Sequence, residues 1–161
     1  MSQAARKAAL KRLDAFIGEW SVKASFPGSS PGRSEFEWAI QGQCLIQRTQ
    51  APDPAPDSVA IVAVDPKTGA YTQHYFDSRG VVRVYAMTFS RGTWELSRDS
   101  PDFSPLDFSQ RFRGRFTDGG TTIRGTWEIC HDGRKWERDF DLTYTKVKPG
   151  RSASARSRRS R

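Results

Sequence analysis

Two hydrophobic rhythms divide the chain. At its start Leu10, Leu13 and Ile17 recur at spacings of three and four among Ala4, Ala5, Ala8, Ala9 and Ala15. That pattern predicts one helix over residues 3–15, which Gly18 ends. Beyond Gly18 the helical period disappears and short β-rich runs alternate with turn signals. Strands are predicted near 18–26, 33–40, 43–50, 58–65, 70–77, 81–89, 93–98, 108–117, 121–130 and 134–147. The punctuation between them includes Asp65-Pro66-Lys67-Thr68-Gly69, Asp77-Ser78-Arg79-Gly80, Asp118-Gly119-Gly120 and Asp132-Gly133. Glycine supplies the positive φ of tight hairpins, and proline presets φ for the first turn position. Two connections are longer: the proline-rich 51–57, and 98–107 with Pro101 and Pro105.

About ten short strands joined mostly by tight turns predict an all-β antiparallel up-and-down meander. Closure into a barrel removes the exposed edges of such a sheet, with an open sandwich as the alternative. The opening helix then suits a plug across one end. Residues 1–147 form this barrel domain. Residues 148–161 hold no apolar side chain larger than Ala and are expected to be a disordered Arg/Ser-rich tail.

Register decides which side chains point inward. A three-residue loop ending at Gly80 places Tyr71, Gln73 and Tyr75 on one face with Arg83, Tyr85 and Met87. A tighter or longer loop instead brings His74 beside Arg83. Residues 108–117 alternate, with Phe108, Gln110, Phe112, Gly114 and Phe116 inward and Arg111, Arg113 and Arg115 outward. In the last hairpin a two-residue Asp132-Gly133 turn pairs Ile129 with Trp136, Trp127 with Arg138, Gly125 with Phe140 and Ile123 with Leu142. This register gathers the large apolar residues on one face, and it sets the charge of Arg138 on the inner face.

Charge changes the picture less than its total suggests. The net charge is +8, from 26 Lys and Arg against 18 Asp and Glu. Residues 1–12 carry Arg6, Lys7, Lys11 and Arg12 with no acid, and residues 148–161 carry Lys148 and five arginines with no acid. The stretch between them holds 16 basic and 18 acidic residues, a net of −2. A nucleic-acid surface spread over the barrel is therefore not expected, whereas weak, sequence-blind nucleic-acid binding through the tail is compatible with its charge. A hydrophobic content of 36 % argues against a disordered chain, and no apolar run approaches the ~20 residues of a membrane span. The charged opening lacks the apolar core of a secretory signal, so a cytoplasmic setting is expected, with Cys44 and Cys130 as reduced, buried thiols.

Four stretches carry a resemblance: Leu13–Trp20, His74–Val81, Ile123–Glu128 and Trp136–Tyr144. Together they resemble a bacterial, largely actinobacterial, family of lipocalin-like β-barrel proteins of unknown function, over roughly residues 10–147. The Gly18-x-Trp20 element is also similar to that of lipocalins and of nitrobindin and fatty-acid-binding-protein-like calycins. The resemblance implies a barrel with an interior cavity, its floor closed by Trp20 and a basic residue of the last strand stacked on that ring. For Arg138 the competing role is such stacking, or pairing with an acid, in the service of the fold.

Candidate chemistry is sparse. His74 and His131 are the only histidines, too few for a zinc cluster. A nitrobindin-like haem site needs a cavity histidine, and the preferred register turns His74 outward, so no cofactor is expected. There is no Gly-x-Ser-x-Gly elbow, and neither cysteine has a plausible histidine partner. The inward polar and aromatic residues Trp38, Gln73, Tyr75, Arg83, Tyr85, Gln110, Trp136 and Arg138 are the candidate ligand-binding set. An apolar interior with a few convergent polar groups is what a ligand site looks like. The expected activity is binding of a small, mostly apolar ligand, anionic if it pairs with the inner arginines, with no membrane partner. The alternative is a small-barrel cyclase or isomerase in which Tyr and Arg donate hydrogen bonds to a developing oxyanion.

Overall fold

A computed structural model describes residues 1–148, so the tail expectation falls, apart from Lys148, outside the described residues. After α1 (Gln3–Arg12) and a 3-10 turn (Leu13–Phe16) come ten strands. They are β1 (Gly18–Ala24), β2 (Gly32–Ala39), β3 (Cys44–Gln50), β4 (Ser58–Val64), β5 (Tyr71–Asp77), β6 (Val82–Ser90), β7 (Thr93–Arg98), β8 (Ser109–Thr117), β9 (Thr122–Cys130) and β10 (Glu137–Lys146). Every strand pairs antiparallel with its sequence neighbour, and β10 pairs with β1 to close the barrel. Closure leaves no strand as a free sheet edge over its whole length, which excludes the open sandwich.

The helix is a plug, but a shorter one than its periodicity predicts. Ser2 caps it by accepting the Ala5 N–H at 3.1 Å. It runs as an α-helix only to Arg12; a 3-10 turn follows, after which Ile17 is extended and Gly18, at positive φ, opens β1. Its apolar side, Ala9 and Leu10, faces the barrel, and the Tyr71 hydroxyl donates to the Ala9 carbonyl at 2.6 Å.

Phe16, 1 % exposed, enters the closed end among Phe36, Phe89, Trp94 and Phe116, with ring centroids 4.8 to 5.4 Å away. Burying one such ring is worth about 1.5–3 kcal/mol. Trp20 lies beside it, 0 % exposed, and donates its indole N–H to the Phe16 carbonyl at 2.8 Å. The basic residue of the last strand over the Trp20 ring is Lys146, with Nζ 5.4 Å from the centroid. Gly18 is favoured there by its φ of +124°; a Cβ would also stand 3.2 Å from Lys146 Cε, which that flexible side chain could relieve by a small shift. The Gly-x-Trp element is thus a seat for the Lys146 stem.

The Gly80 hairpin follows the three-residue register, with Tyr71 opposite Met87, Gln73 opposite Tyr85 and Tyr75 opposite Arg83. The last hairpin does not follow its expected register. Asp132 Oδ1 accepts the N–H groups of Arg134 and Lys135 at 2.8 and 2.9 Å, which widens the turn so that pairing begins at Glu137 opposite Ile129. A bulge between Arg138 and Phe140 then adds a second residue of slip. Two residues of slip preserve faces, so Phe140, Leu142 and Tyr144 still point inward, opposite Trp127, Gly125 and Ile123. Above the bulge the slip is one residue, which turns Trp136 and Arg138 outward.

Candidate functional site

The two halves of the interior differ. The plugged half is filled by the aromatic cluster, with Phe112 as its upper member, 5.0 Å from Trp94 and 5.2 Å from Trp127. Above it, inward residues such as Val22, Tyr75, Gln110, Trp127, Phe140 and Leu142 are half-buried. Inward side chains of a closed barrel meet water through its interior, so this half opens to solvent at the end opposite α1.

Polar groups converge there because β5, β6 and β8 place them in facing positions. Tyr85, 3 % exposed, donates its hydroxyl to Gln110 Oε1 at 3.0 Å. Burial pushes its ionisation up, and the nearby Arg83 guanidinium only partly offsets this. Arg83 lies 5.4 Å from the centroid of Phe108 and forms no ion pair among the described residues. Beside Tyr85, Gln73 is 4 % exposed and its Oε1 has no hydrogen-bond partner among the described residues. A buried amide oxygen left without a donor costs about 1–3 kcal/mol.

Tyr75 completes this wall differently. Its hydroxyl donates to Asp77 Oδ2 at 2.9 Å, and burial and then that carboxylate push its ionisation well above the usual tyrosine range. For Asp77 burial acts to raise the carboxyl, but Arg79, Tyr75 and backbone N–H groups outweigh it and hold the group ionised. Across the barrel Ser34 and Thr49 share a hydrogen bond of 2.5 Å, and Gln47 Nε2 donates to Ser34 Oγ at 3.1 Å. Gln47 also faces the hydroxyl of Tyr144, which burial pushes up to about 12.

The wall beside Tyr85 has a seam. β7 pairs with β6 only from Ala86 onward, which leaves Val82 to Tyr85 without that neighbour. The 99–107 connection covers the seam with side chains: Asp102 Oδ2 accepts the Val84 N–H at 2.8 Å, and Ser104 Oγ donates to the Val82 carbonyl at 3.3 Å. Asp102 is held by the buried Arg98, Nε to Oδ2 2.8 Å, and that pairing keeps its carboxyl far below the usual range. A concavity of about 490 Å³ between this strap and the strands is lined by Tyr85, Arg98, Asp102 and Phe103.

Five of the eight sequence candidates therefore share the open half: Gln73, Tyr75, Arg83, Tyr85 and Gln110. The other three do not. Trp38 points inward but at the plugged end, where its indole N–H donates to Asp14 Oδ1 at 3.0 Å. Trp136 is on the outer wall, under the Arg111 guanidinium at 4.1 Å. Arg138 is exposed and pairs with Asp141. His74 stands on the outer face between Ile61 and Val84, and Cys44 and Cys130 are free and buried. The candidate set omitted Ser34, Gln47 and Thr49, whose inward alternation on β2 and β3 was the available signal. It also omitted Trp127, whose ring meets Tyr85 edge-on at 5.6 Å.

A closed ten-stranded antiparallel barrel, plugged at one end by a helix and open to water at the other, is the class these features define. No protein-family model matches the chain, and no curated protein matches it significantly. Among solved structures it is similar to "Crystal Structure of Rv2717c from M. tuberculosis", with a TM-score of 0.57 over 87 % of this chain and 98 % of that one. The identity is 14 %, so the likeness is one of fold.

Proposed function

We propose that the barrel binds a small, mostly apolar ligand carrying an anionic or strongly accepting group, held in the open half. The observation that carries this reading is Arg83: an inward, half-buried guanidinium beside the Tyr85 hydroxyl, with no carboxylate partner among the described residues. A cation in that setting is stabilised by an anion. Trp127, Leu142 and Phe140 supply apolar walls, and the tyrosines stay protonated at neutral pH, their hydroxyl protons held by Gln110 and Asp77, which leaves Arg83 as the donor to the anion. The proposed setting is cytoplasmic, which suits two free buried thiols.

The test uses 1-anilinonaphthalene-8-sulfonate, an apolar anion whose emission rises on apolar burial. The folded protein binds it, and Arg83→Met weakens binding about ten- to a hundredfold, the range of one charge-assisted hydrogen bond. Arg138→Met leaves affinity unchanged. Equal affinity in the wild type and a folded Arg83→Met variant overturns the proposal.

A further inference from the structure

The outer wall of the barrel has two characters. Over β7 to β9 its outward positions are rich in charge, with Glu95, Arg111, Arg113, Arg115, Arg124 and Glu128. Over β3 to β6 the outward positions hold no Asp, Glu or Lys, and their one Arg, Arg48 at the edge, is paired with Glu37. Strand register sets these outward residues in three rows across the four strands. Nearest the open end Arg48 is followed by Val59, Phe76 and Val82. The middle row is Ile46, Ile61, His74 and Val84. Nearest the plug the row is small throughout: Cys44, Ala63, Thr72 and Ala86. The wall therefore carries a ridge at one side and a trough at the other. Phe76 stands on the ridge, 42 % exposed, and Phe103 of the strap, 78 % exposed, continues the apolar surface past β6 by lining a concavity with Val84 and Ala86. A contiguous apolar surface of this kind on a folded chain marks a contact with another molecule.

We infer that a second copy of this chain docks on this wall, sheet face on sheet face, about a two-fold axis that lies in the interface along the middle row. Such an axis keeps each strand opposite its own copy and reverses the order of the rows. The ridge of Val59, Phe76 and Val82 then faces the trough of Ala63, Thr72 and Ala86, and the trough faces the ridge. Sheets stack about 10 Å apart, so a large side chain is accommodated where the facing one is small. A surface that complements itself under a two-fold rotation is what an isologous dimer requires. Charge agrees: the Arg48–Glu37 pair is neutral as a unit, so two copies bring no net like charge together, and a strongly acidic or basic partner finds nothing to pair with. Area agrees as well. Four strands about 4.8 Å apart and three rows about 6.8 Å deep give a footprint of about 400 Å². That is the apolar centre of a standard interface, to which each partner contributes about 800 Å², with a rim from Arg48 on one side and the strap on the other. The wall lacks the flanking unpaired Lys and Arg with which an apolar face settles on a lipid surface.

The experiment is sedimentation velocity of the full chain from about 1 to 100 µM, which brackets the micromolar dissociation constant expected of an interface at the small end of the range. A concentration-dependent monomer–dimer equilibrium is expected. Ala63→Arg fills the trough, and His74→Glu sets two like charges face to face at the axis; each is expected to weaken the dimer about tenfold or more. His74→Lys does the same alone, and an equimolar mixture of His74→Glu and His74→Lys is expected to regain the dimer, because a residue on the axis meets its own copy. Arg124→Glu, on the far side of the barrel, leaves association unchanged, and the melting temperature of each variant checks folding. A chain that stays monomeric throughout overturns the inference, and so does wild-type association in folded Ala63→Arg and His74→Glu. A mixture as dissociated as either His74 variant alone removes the axis from the middle row and overturns it too. A monomer that floats with phosphatidylcholine vesicles, and ceases to in Phe76→Lys, gives the wall to a lipid surface instead.

Discussion

Gly125→Ala tests whether the aromatic layer that separates the two halves of the barrel is as tight as it looks. Gly125 lies inward on β9, opposite Leu142, and the Phe112 ring lies directly over it. A Cβ built there falls 2.2 Å from Phe112 Cζ and 2.3 Å from Cε2. Carbon atoms in ordinary contact are about 3.5–4.0 Å apart, so the ring must retreat by more than about 1 Å. Gly125 needs no positive φ, so the substitution is a purely steric probe. Phe112 is 2 % exposed and wedged against Trp94 and Trp127, so its retreat disturbs both neighbours. Overpacking of this kind costs about 1–3 kcal/mol, which for a domain of this size lowers Tm by roughly 3–10 °C. Urea and thermal unfolding followed by near-ultraviolet circular dichroism read the loss directly. Combining it with Phe112→Leu, which shortens the obstructing side chain, should give a double variant at least about 1 kcal/mol more stable than the sum of the two single losses. A Gly125→Ala protein within about 0.5 kcal/mol of wild type, or strict additivity with Phe112→Leu, would refute the close-packed layer.

Other outcomes follow from the charges. Asp102→Asn leaves Arg98, 4 % exposed, without its counter-charge and should cost about 3–5 kcal/mol in urea unfolding. Because Asp102's carboxyl is depressed in the folded state, its contribution is complete above the unfolded value near 4 and fades as pH falls below that; the variant should lack this part of the acid loss. Tyr144, raised by burial to about 12, adds to Tyr75 and Tyr85 a stability that is constant up to about pH 10 and declines as pH rises further; Tyr144→Phe should make that decline shallower, and an unchanged decline would assign it to the other two tyrosines. Trp136→Ala should expose Arg111 without changing anilinonaphthalene sulfonate affinity, because the stack lies outside the barrel; a tenfold loss of affinity would contradict that placement.

Much of this architecture was legible in local chemistry. Alternation along β8 placed Phe112 and Gln110 inward, and of the loop lengths open to the Asp77–Gly80 turn the preferred three-residue one sets Tyr75 opposite Arg83, as observed. Both are short-range signals: a period of two, and a glycine with φ +83° at the loop end. The strand count and the antiparallel meander follow from the same punctuation.

Tertiary structure decided what depends on distant partners. The faces of Trp136 and Arg138 turned on an Asp132 carboxylate widening one turn and on a bulge whose position no local pattern marked. Lys146 reached Trp20 because β10 closes on β1, a pairing between opposite ends of the domain. The Arg98–Asp102 pair became buried because β7 stops short of the seam it covers. Side-chain alternation is written residue by residue, so the sequence by itself determined the strands and most of their inward faces. Closure, slip and burial are properties of strands meeting across the barrel, and only the assembled fold determines which inward groups end in the plugged half and which remain open to a ligand.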